Sequence, residues 1–230
     1  MLKIIQIRLP KAGETRIKRV ISRSNTKPTG KYPSLKMGHM LHWENIDQLH
    51  AFRLLDATPT IGSFHESPME IQYEIDGEIF FEYPDLLIQS GNLQEIWKIK
   101  NPLETKNVIP TIKEKAFREE LLERGFVWRF IDSKRLMLEP RKQNIITLLR
   151  NGARSVNFIE KERVRNYFER YKTLTWGEVQ KGFINSIGPQ HICRLVIEGY
   201  VYFNINQTWT NETIFCWQKP SVDRLEVEEL

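Results

Sequence analysis

The chain has 230 residues, of which 40% are hydrophobic, 11% aromatic and 27% charged, and this is the composition of a globular protein. No apolar run of about 18 residues is present, so the sequence predicts no membrane span, and the lack of an apolar signal-peptide core favours the cytoplasm. The net charge is +5, and the spacing of Cys193 and Cys216 excludes a metal pair and indicates free, buried thiols.

The first 36 residues are strongly basic, with ten Lys or Arg and a single acid, Glu14. We predict that residues 1–36 form a basic N-terminal arm that binds a polyanion such as DNA. A solvated tail is the alternative that charge alone leaves open. The candidate DNA-binding residues of this arm are Arg16, Lys18, Arg19, Arg23, Lys27, Lys31 and Lys36. An acidic tail, residues 221–230, closes the other end of the chain.

Helical and irregular segments come before the first strands. Residues 22–34, SRSNTKPTGKYPS, are rich in Ser, Thr, Pro and Gly, which predicts an irregular connection. Residues 39–56 have apolar side chains at close to helical spacing, and Pro59 lies beyond their end. We therefore predict a helix over residues 39–56.

Strand signals follow, over residues 60–65, 69–75, 78–89 and 95–100. The Asp76-Gly77 dipeptide predicts a tight hairpin turn between the second and third of these strands. A turn around Ser90-Gly91-Asn92 precedes the fourth. A helix over 109–125, a strand over 126–132 and a helix over 141–151 come next. This order predicts a mixed α/β core of three layers.

The pattern changes after about residue 157. A helix is predicted over residues 160–172, and Thr175 and Glu178 form a capping box that opens another at Trp176. A third helix is predicted within residues 188–200, followed by strands over 200–206 and 213–217. Three helices and a hairpin are the winged-helix arrangement, so we predict a winged-helix domain over residues 157–220.

The helix at 188–200 is the candidate recognition helix of this domain. Its candidate DNA contacts are Gln190, His191 and Arg194. Because its surface is not strongly basic, the sequence favours docking of a protein slightly over binding of DNA.

Asp85 and Lys100 have the layout of a metal-dependent nuclease. Such enzymes hold Mg²⁺ with carboxylates and use a lysine to orient the attacking water. Residues two apart on a strand share a face, so Lys98 and Lys100 are expected to point the same way. The other interpretation is that Asp85 caps a turn and Lys100 is a solvated strand end.

A series of motifs resembles the TnsA endonuclease family, a subunit of heteromeric transposases, from about Arg16 to Arg150. These motifs are TGKYPSLKMGHMLHWEN (29–45), LLDATPTIGSFHESPMEIQYEIDGE (54–78), YPDLLI (83–88), IWKIK (96–100) and RKQNIITLLR (141–150). The resemblance implies a restriction-endonuclease-like three-layer domain over residues 37–156, followed by the winged-helix domain. It also implies Mg²⁺-dependent nicking of transposon 5′ ends. The implied partners are DNA, a TnsB-like transposase and a TnsC-like ATPase regulator, with no membrane.

The sequence departs from this family at its central positions. The helix Glu of the family falls on Gln48, and the residue two before the catalytic lysine is Lys98. Asp85 and Lys100 remain, with Asp85 as the one metal ligand among these positions. The site is therefore net positive where the family pattern is net negative. We expect Lys98 to pair with Asp85, in place of Mg²⁺.

These departures predict a pseudo-nuclease that acts through DNA and its transposition partners. One alternative is an active nuclease in which Glu44, one helical turn before Gln48, replaces the helix carboxylate. Glu82 and Glu95 are nearby in sequence, but an odd spacing predicts that both point away from the site. A second alternative is a stand-alone DNA-binding regulator.

Overall fold

A computed structural model describes residues 2–11, 14, 16–17, 28–100, 111–182 and 187–218, without the side chains of 111–113. These residues form a mixed α/β structure, which confirms the predicted class. The strands are β1 (Leu2–Arg8), β2 (Gly30–Pro33), β3 (Met40–Trp43), β4 (Ser63–Glu66), β5 (Glu70–Ile75), β6 (Glu78–Glu82), β7 (Leu86–Ser90), β8 (Leu93–Lys100), β9 (Phe126–Asp132), β10 (Thr173–Thr175), β11 (Val201–Tyr202) and β12 (Ile214–Trp217). The helices are α1 (Ile46–Ala57), α2 (Thr111–Glu123), α3 (Ser133–Leu136), α4 (Arg141–Asn151), α5 (Phe158–Tyr171), α6 (Trp176–Gln180) and α7 (Pro189–Ile197). No helix in these described ranges is both long and apolar enough to cross a membrane.

By its contacts the chain separates into two compact units. Of the described residues, the first contains those up to Leu49 and Ile61–Leu136, and the second contains His50–Thr60 and those from Met137 to Gln218. The predicted division at residues 156 and 157 stays a prediction. In the second unit α4 packs against α7.

The described residues of the first unit form the two-stranded sheet β2-β3 and two larger sheets. One has the order β1-β5-β6, and the other has the order β4-β7-β8-β9. Strands β7 and β8 are antiparallel, whereas β8 and β9 are parallel, so α2 lies in the crossover between them. Apolar side chains of β1, β5, β8, β9 and α2 form one core cluster, which buries the apolar faces of the sheet and the helix together.

The strand predicted over residues 78–89 is in fact two strands in different sheets. Strand β6 ends at Glu82 and pairs with β5, while β7 begins at Leu86 and pairs with β4 and β8. Pro84 lies between them, and proline has no N–H to donate to a ladder. The chain therefore changes sheets at Tyr83, Pro84 and Asp85.

The predicted basic arm is wrong in its first part. Residues Leu2–Arg8 are strand β1, paired with β5, and Leu2 and Ile4 are buried in the core cluster. Residues 30–33, predicted to be irregular, form β2 and pair with β3. The four predicted DNA-binding residues Lys18, Arg19, Arg23 and Lys27 lie outside the described residues.

The helix predicted over residues 39–56 begins later, at Ile46. Its first part is strand β3, paired with β2. The side chain of Asn45 accepts a hydrogen bond of 2.9 Å from the N–H of Gln48. This is the geometry of an N-cap, which satisfies a free donor and starts the helix at that point.

The second unit contains the predicted succession of helices and strands, with shorter elements. The capping box between Thr175 and Glu178 is present at the start of α6. Strand β10, which the sequence did not predict, joins β12 and β11 in a sheet of order β10-β12-β11. Cys193 is buried as predicted, but Cys216 is only partly buried.

Candidate functional site

The backbone of Asp85 is fixed between two strands of the second sheet. Its N–H donates to the carbonyl of Trp97 on β8 at 2.9 Å. Its carbonyl accepts from the N–H of Ser67, just after β4, at 3.0 Å. Although Asp85 lies outside β7, its backbone is hydrogen-bonded in register with the neighbouring strands. The point from which its side chain extends is therefore fixed.

Both carboxylate oxygens of Asp85 accept a hydrogen bond. Gln48 Nε2 donates to Oδ1 at 2.7 Å, and the N–H of Ile99 donates to Oδ2 at 2.8 Å. The other end of the Gln48 amide, Oε1, accepts from the N–H of Glu44 at 2.7 Å. Because a backbone N–H can only donate, this contact determines the amide orientation and turns the NH₂ group towards Asp85.

Glu44 does not lie on α1. It lies in the bend between β3 and the helix, because Asn45 is the N-cap. The prediction that Glu44 and Gln48 share a helical face is therefore wrong. What joins them is the hydrogen bond from the Glu44 backbone to the Gln48 side chain.

Lys98 pairs with Glu82 and not, as predicted, with Asp85. Its Nζ lies 2.7 Å from Glu82 Oε1 and donates to the carbonyl of Tyr83 at 2.6 Å. The expectation that Glu82 points away from the site was wrong. It assumed that side chains alternate between two faces along one continuous strand, but the strand is interrupted at Pro84. Glu95 does lie apart from Lys98: its carboxylate accepts from Trp97 Nε1 and is paired with Arg129 at 3.0 Å.

Lys100 lies over an aromatic ring, with Nζ 4.3 Å from the centroid of Phe130. Burial lowers the pKa of Lys100, Lys98 lowers it further, and Glu82, Glu114 and Asp85 act in the opposite direction. Lys100 is therefore partly desolvated and stacked, which differs from the alternative of a solvated strand end.

Burial is the largest influence on Asp85 and raises the pKa of its carboxyl group. The charge of Lys98, the N–H of Ile99 and the amide of Gln48 lower this pKa, and the charge of Glu82 raises it. Gln48, Glu82, Asp85, Lys98 and Lys100 form what we call the Asp85 cluster. It contains two carboxylates and two ammonium groups.

No protein-family model matches the chain, and no curated protein matches it either. The resemblance to TnsA therefore stays a prediction, and the chemistry of the Asp85 cluster is judged from its own residues.

The Asp85 cluster does not fit the Mg²⁺ that the resemblance implies. Mg²⁺ requires oxygen ligands in near-octahedral geometry, but Gln48 presents N–H groups to Asp85 and both Asp85 oxygens already accept hydrogen bonds. The second carboxylate, Glu82, is paired with Lys98. Within the described ranges, no group of three or more His, Cys, Asp or Glu side chains is arranged to hold a metal ion.

Among the described cations of the predicted arm, Arg16 contacts the side chain of Glu66. Arg16 forms an ion pair with Glu66 at 3.0 Å, and the N–H of His42 donates to the same carboxylate at 3.2 Å. Burial lowers the pKa of His42, as do the charges of Arg16 and Lys31. Lys31 is exposed on β2, and Lys36 is partly buried in the turn after it.

The candidate recognition helix, α7, is largely buried. His191 is 2% exposed; its Nδ1 accepts from the N–H of Gly188 at 3.1 Å, and its Nε2 lies 3.3 Å from Glu160. Arg194 is partly buried and forms a 2.6 Å ion pair with Glu198, and Gln190 is partly buried. In this position the ring of His191 is not accessible to a DNA base.

Helix α4 ends directly against α7. A Cβ atom on Gly152, which follows α4, would lie 2.6 Å from Ile197 Cδ1 and 3.0 Å from the backbone N of Arg194. Only glycine permits so close an approach. The sequence did not predict this contact, since a lone Gly at a helix end is equally typical of an ordinary cap.

The sequence pattern placed Glu82 on the wrong side and did not single out Glu66. Glu82 enters the Asp85 cluster because the chain breaks at Pro84, and the Pro was the available signal. Glu66 is 3% exposed and accepts bonds from separate segments, and its neighbours in sequence give no signal for this.

Proposed function

We propose that this chain is a TnsA-like protein of DNA transposition whose nuclease centre no longer binds metal. It acts by binding DNA, a TnsB-like transposase and a TnsC-like ATPase regulator. The observation that carries this proposal is the 2.7 Å hydrogen bond from Gln48 Nε2 to Asp85 Oδ1, because it places donor hydrogens where a metal site requires a ligand oxygen.

The order of elements supports a restriction-endonuclease-like domain. Helix α1 is followed by antiparallel strands, by α2 and by β9, which runs parallel to β8. Asp85 lies directly before β7 and Lys100 at the end of β8. Helices α5 to α7 followed by β11 and β12 have the order of a winged helix.

The charges of the Asp85 cluster support the loss of the metal. Two unit charges at 4 Å interact with about 4 kcal/mol at an effective dielectric constant of 20. A divalent ion bound at Asp85 would meet the charge of Lys98, which already lowers the pKa of Asp85. Lys98 supplies a positive charge without any metal.

The same cations support binding of a DNA backbone. Lys98 and Lys100 are two residues apart on β8, and Arg118 is 5.9 Å from the ring of Phe130, on which Lys100 also lies. Phosphate groups are bound by such cations without reading sequence. DNA affinity should then be independent of divalent ions.

The deciding experiment is a nicking assay on transposon-end DNA with Mg²⁺ and Mn²⁺. We expect no cleavage by the parent chain and unchanged DNA binding in EDTA. Asp85→Ala and Glu44→Ala variants are the controls. Metal-dependent nicking that Asp85→Ala abolishes would refute the proposal, and nicking abolished by Glu44→Ala but kept by Gln48→Ala would establish the active-nuclease alternative.

The transposition partners need a separate test. If genes for a transposase and an ATPase lie beside the gene of this chain, their products are the proteins to use. We expect the chain to bind one of them in a purified mixture with transposon-end DNA. DNA binding with no affinity for either protein would favour the stand-alone regulator.

A further inference from the structure

The two edges of the β1-β5-β6 sheet differ in how they are protected. At the β1 edge the register with β5 shifts between Ile4 and Gln6, which is a bulge. The N–H of Ile4 donates to Glu120 at 3.3 Å, and Arg124 donates to the carbonyl of Ile4 at 3.2 Å. Bulges and side chains of this kind block pairing with another strand.

The β6 edge has no bulge, and its three central residues are apolar between Glu78 and Glu82. Ile79 is 56% exposed and Phe81 is 51% exposed. Within the described part of the chain β5 is the sheet neighbour of β6, and its register is continuous with no bulge. An exposed, regular and apolar edge is the arrangement that accepts a further strand.

The hairpin turn determines which backbone groups face this edge. Asp76 and Gly77 have φ values of 53° and 91°, the type I′ geometry of a two-residue turn. Ile75 and Glu78 close that turn, so they exchange hydrogen bonds, and every second residue along β6 does the same. Ile79 and Phe81 therefore direct their N–H and C=O groups away from β5.

We propose that β6 pairs with β6 of a second copy of this chain, antiparallel, about a two-fold axis at Phe80. Ile79 of each copy then lies opposite Phe81 of the other. The outward N–H and C=O groups of both residues are satisfied on both copies, and the two three-stranded sheets become continuous. The interface is self-complementary, as a two-fold dimer requires.

The backbone contacts of Tyr83 favour this register. The pairing places Glu78 opposite Glu82 of the second copy, and the ion pair of Glu82 with Lys98, at 2.7 Å, reduces the repulsion between these two carboxylates. A register centred on Phe81 would use the backbone of Tyr83 instead. The carbonyl of Tyr83 already accepts from Lys98, and its N–H donates to Glu82 at 3.2 Å.

Sedimentation of the full chain, without DNA, tests the dimer. We expect the mass to rise from 27.3 kDa to twice that value with increasing concentration. An Ile79→Lys/Phe81→Lys variant should raise the dissociation constant at least about tenfold. Ile5→Lys, on the protected β1 edge and 46% exposed in the parent, is the control and should still dimerise.

Hydrogen exchange at single residues separates this interface from a loss of folding. The amides of Ile79 and Phe81 should become protected only as concentration rises, while the amide of Phe80 is protected at every concentration. A parent chain that stays monomeric, or an Ile79→Lys/Phe81→Lys variant that dimerises as the parent does, would overturn the proposal. So would concentration-independent protection of Ile79 and Phe81. None of these readouts depends on DNA binding or on a transposition role.

Discussion

The sequence predicted a nuclease-like site at Asp85 and Lys100 and candidate DNA contacts on α7, and in the structure the polar groups of these two regions differ in exposure. In the Asp85 cluster the cations are partly exposed, and Lys98 and Lys100 lie beside each other on β8. In α7 the polar side chains are paired within the unit, and α4 covers the helix closely at Gly152. Polar residues on a predicted recognition helix therefore do not show that a ligand can reach that helix.

The Asp85 cluster and α7 differ in exposure because their polar groups have different hydrogen-bond partners. In the Asp85 cluster the two carboxylates balance the two ammonium groups in formal charge, and both ammonium side chains are partly exposed near the end of β8, where phosphate can approach. The hydrogen bonds of His191 close the start of α7 and contribute to its packing. We therefore expect DNA to bind at the Asp85 cluster and α7 to be structural.

The largest expected effect is on α7. Gly152→Leu places a side chain against Ile197 and the α7 backbone, so it should lower the free energy of unfolding by about 1–3 kcal/mol. Urea denaturation measures this. Ala153→Leu, at the exposed neighbouring position, is the matched control. Equal effects of the two changes would mean that α4 and α7 are not in close contact.

A gain of metal binding is the next effect in size. Gln48→Glu with Lys98→Gln replaces the donor at Asp85 by a carboxylate and removes a cation. Mn²⁺ affinity, measured by calorimetric titration, should rise at least about tenfold, or 1.4 kcal/mol. Gln190→Glu with Arg194→Gln makes the same change of charge on α7 and should leave Mn²⁺ binding as it is. If both pairs increase affinity alike, the effect is one of net charge.

The salt dependence of DNA binding provides a finer comparison of the two regions. Lys98→Ala and Lys100→Ala should each reduce the slope of log affinity against log salt by about 0.9, the value for one phosphate contact. Arg194→Ala should leave the slope unchanged. A reduced slope for Arg194→Ala alone would place DNA on α7 after all.

The smallest effect concerns the protonation of Asp85. Its pKa is raised above its ordinary value of 3.8, mainly by burial. A carboxyl group whose pKa is higher in the folded than in the unfolded state contributes stability that is fully present below the unfolded-state pKa. This contribution is lost as pH rises through the folded-state pKa. Lys98→Met removes an opposing charge, so the pKa should rise further and the loss should extend to higher pH.

Carboxyl NMR titration measures this pKa, and Lys31→Met is the control for a general change of charge. An unchanged Asp85 titration in Lys98→Met would show that the Glu82 ion pair screens Lys98 completely.

The mixed α/β class, the β5–β6 hairpin and the capping box at Thr175 could be predicted because each has a local signal in sequence. The proximity of Gln48 and Asp85 agrees with the spacing of the resemblance, and the structure joins them. These features depend on short-range periodicity or on motif order.

The sheet change at Pro84, strand β1 and the covered face of α7 could not be predicted in the same way. Each depends on a partner distant in sequence. Leu2–Arg8 read as part of a basic arm because its pairing with β5 spans more than 60 residues of chain. The alternation of side chains between the two faces of a strand gave the wrong direction for Glu82, because this alternation holds only within one continuous strand.

The residue types at positions 48 and 98, Gln and Lys, have a genetic consequence. Both Gln and Lys codons become Glu codons by substitution of the first base alone. The two residues that separate the Asp85 cluster from an acidic one are therefore each a single point mutation away from glutamate. A population of such genes can change between the present, formally neutral cluster and an acidic one in single-base steps, because Asp85, Lys100 and the sheets that hold them stay as they are.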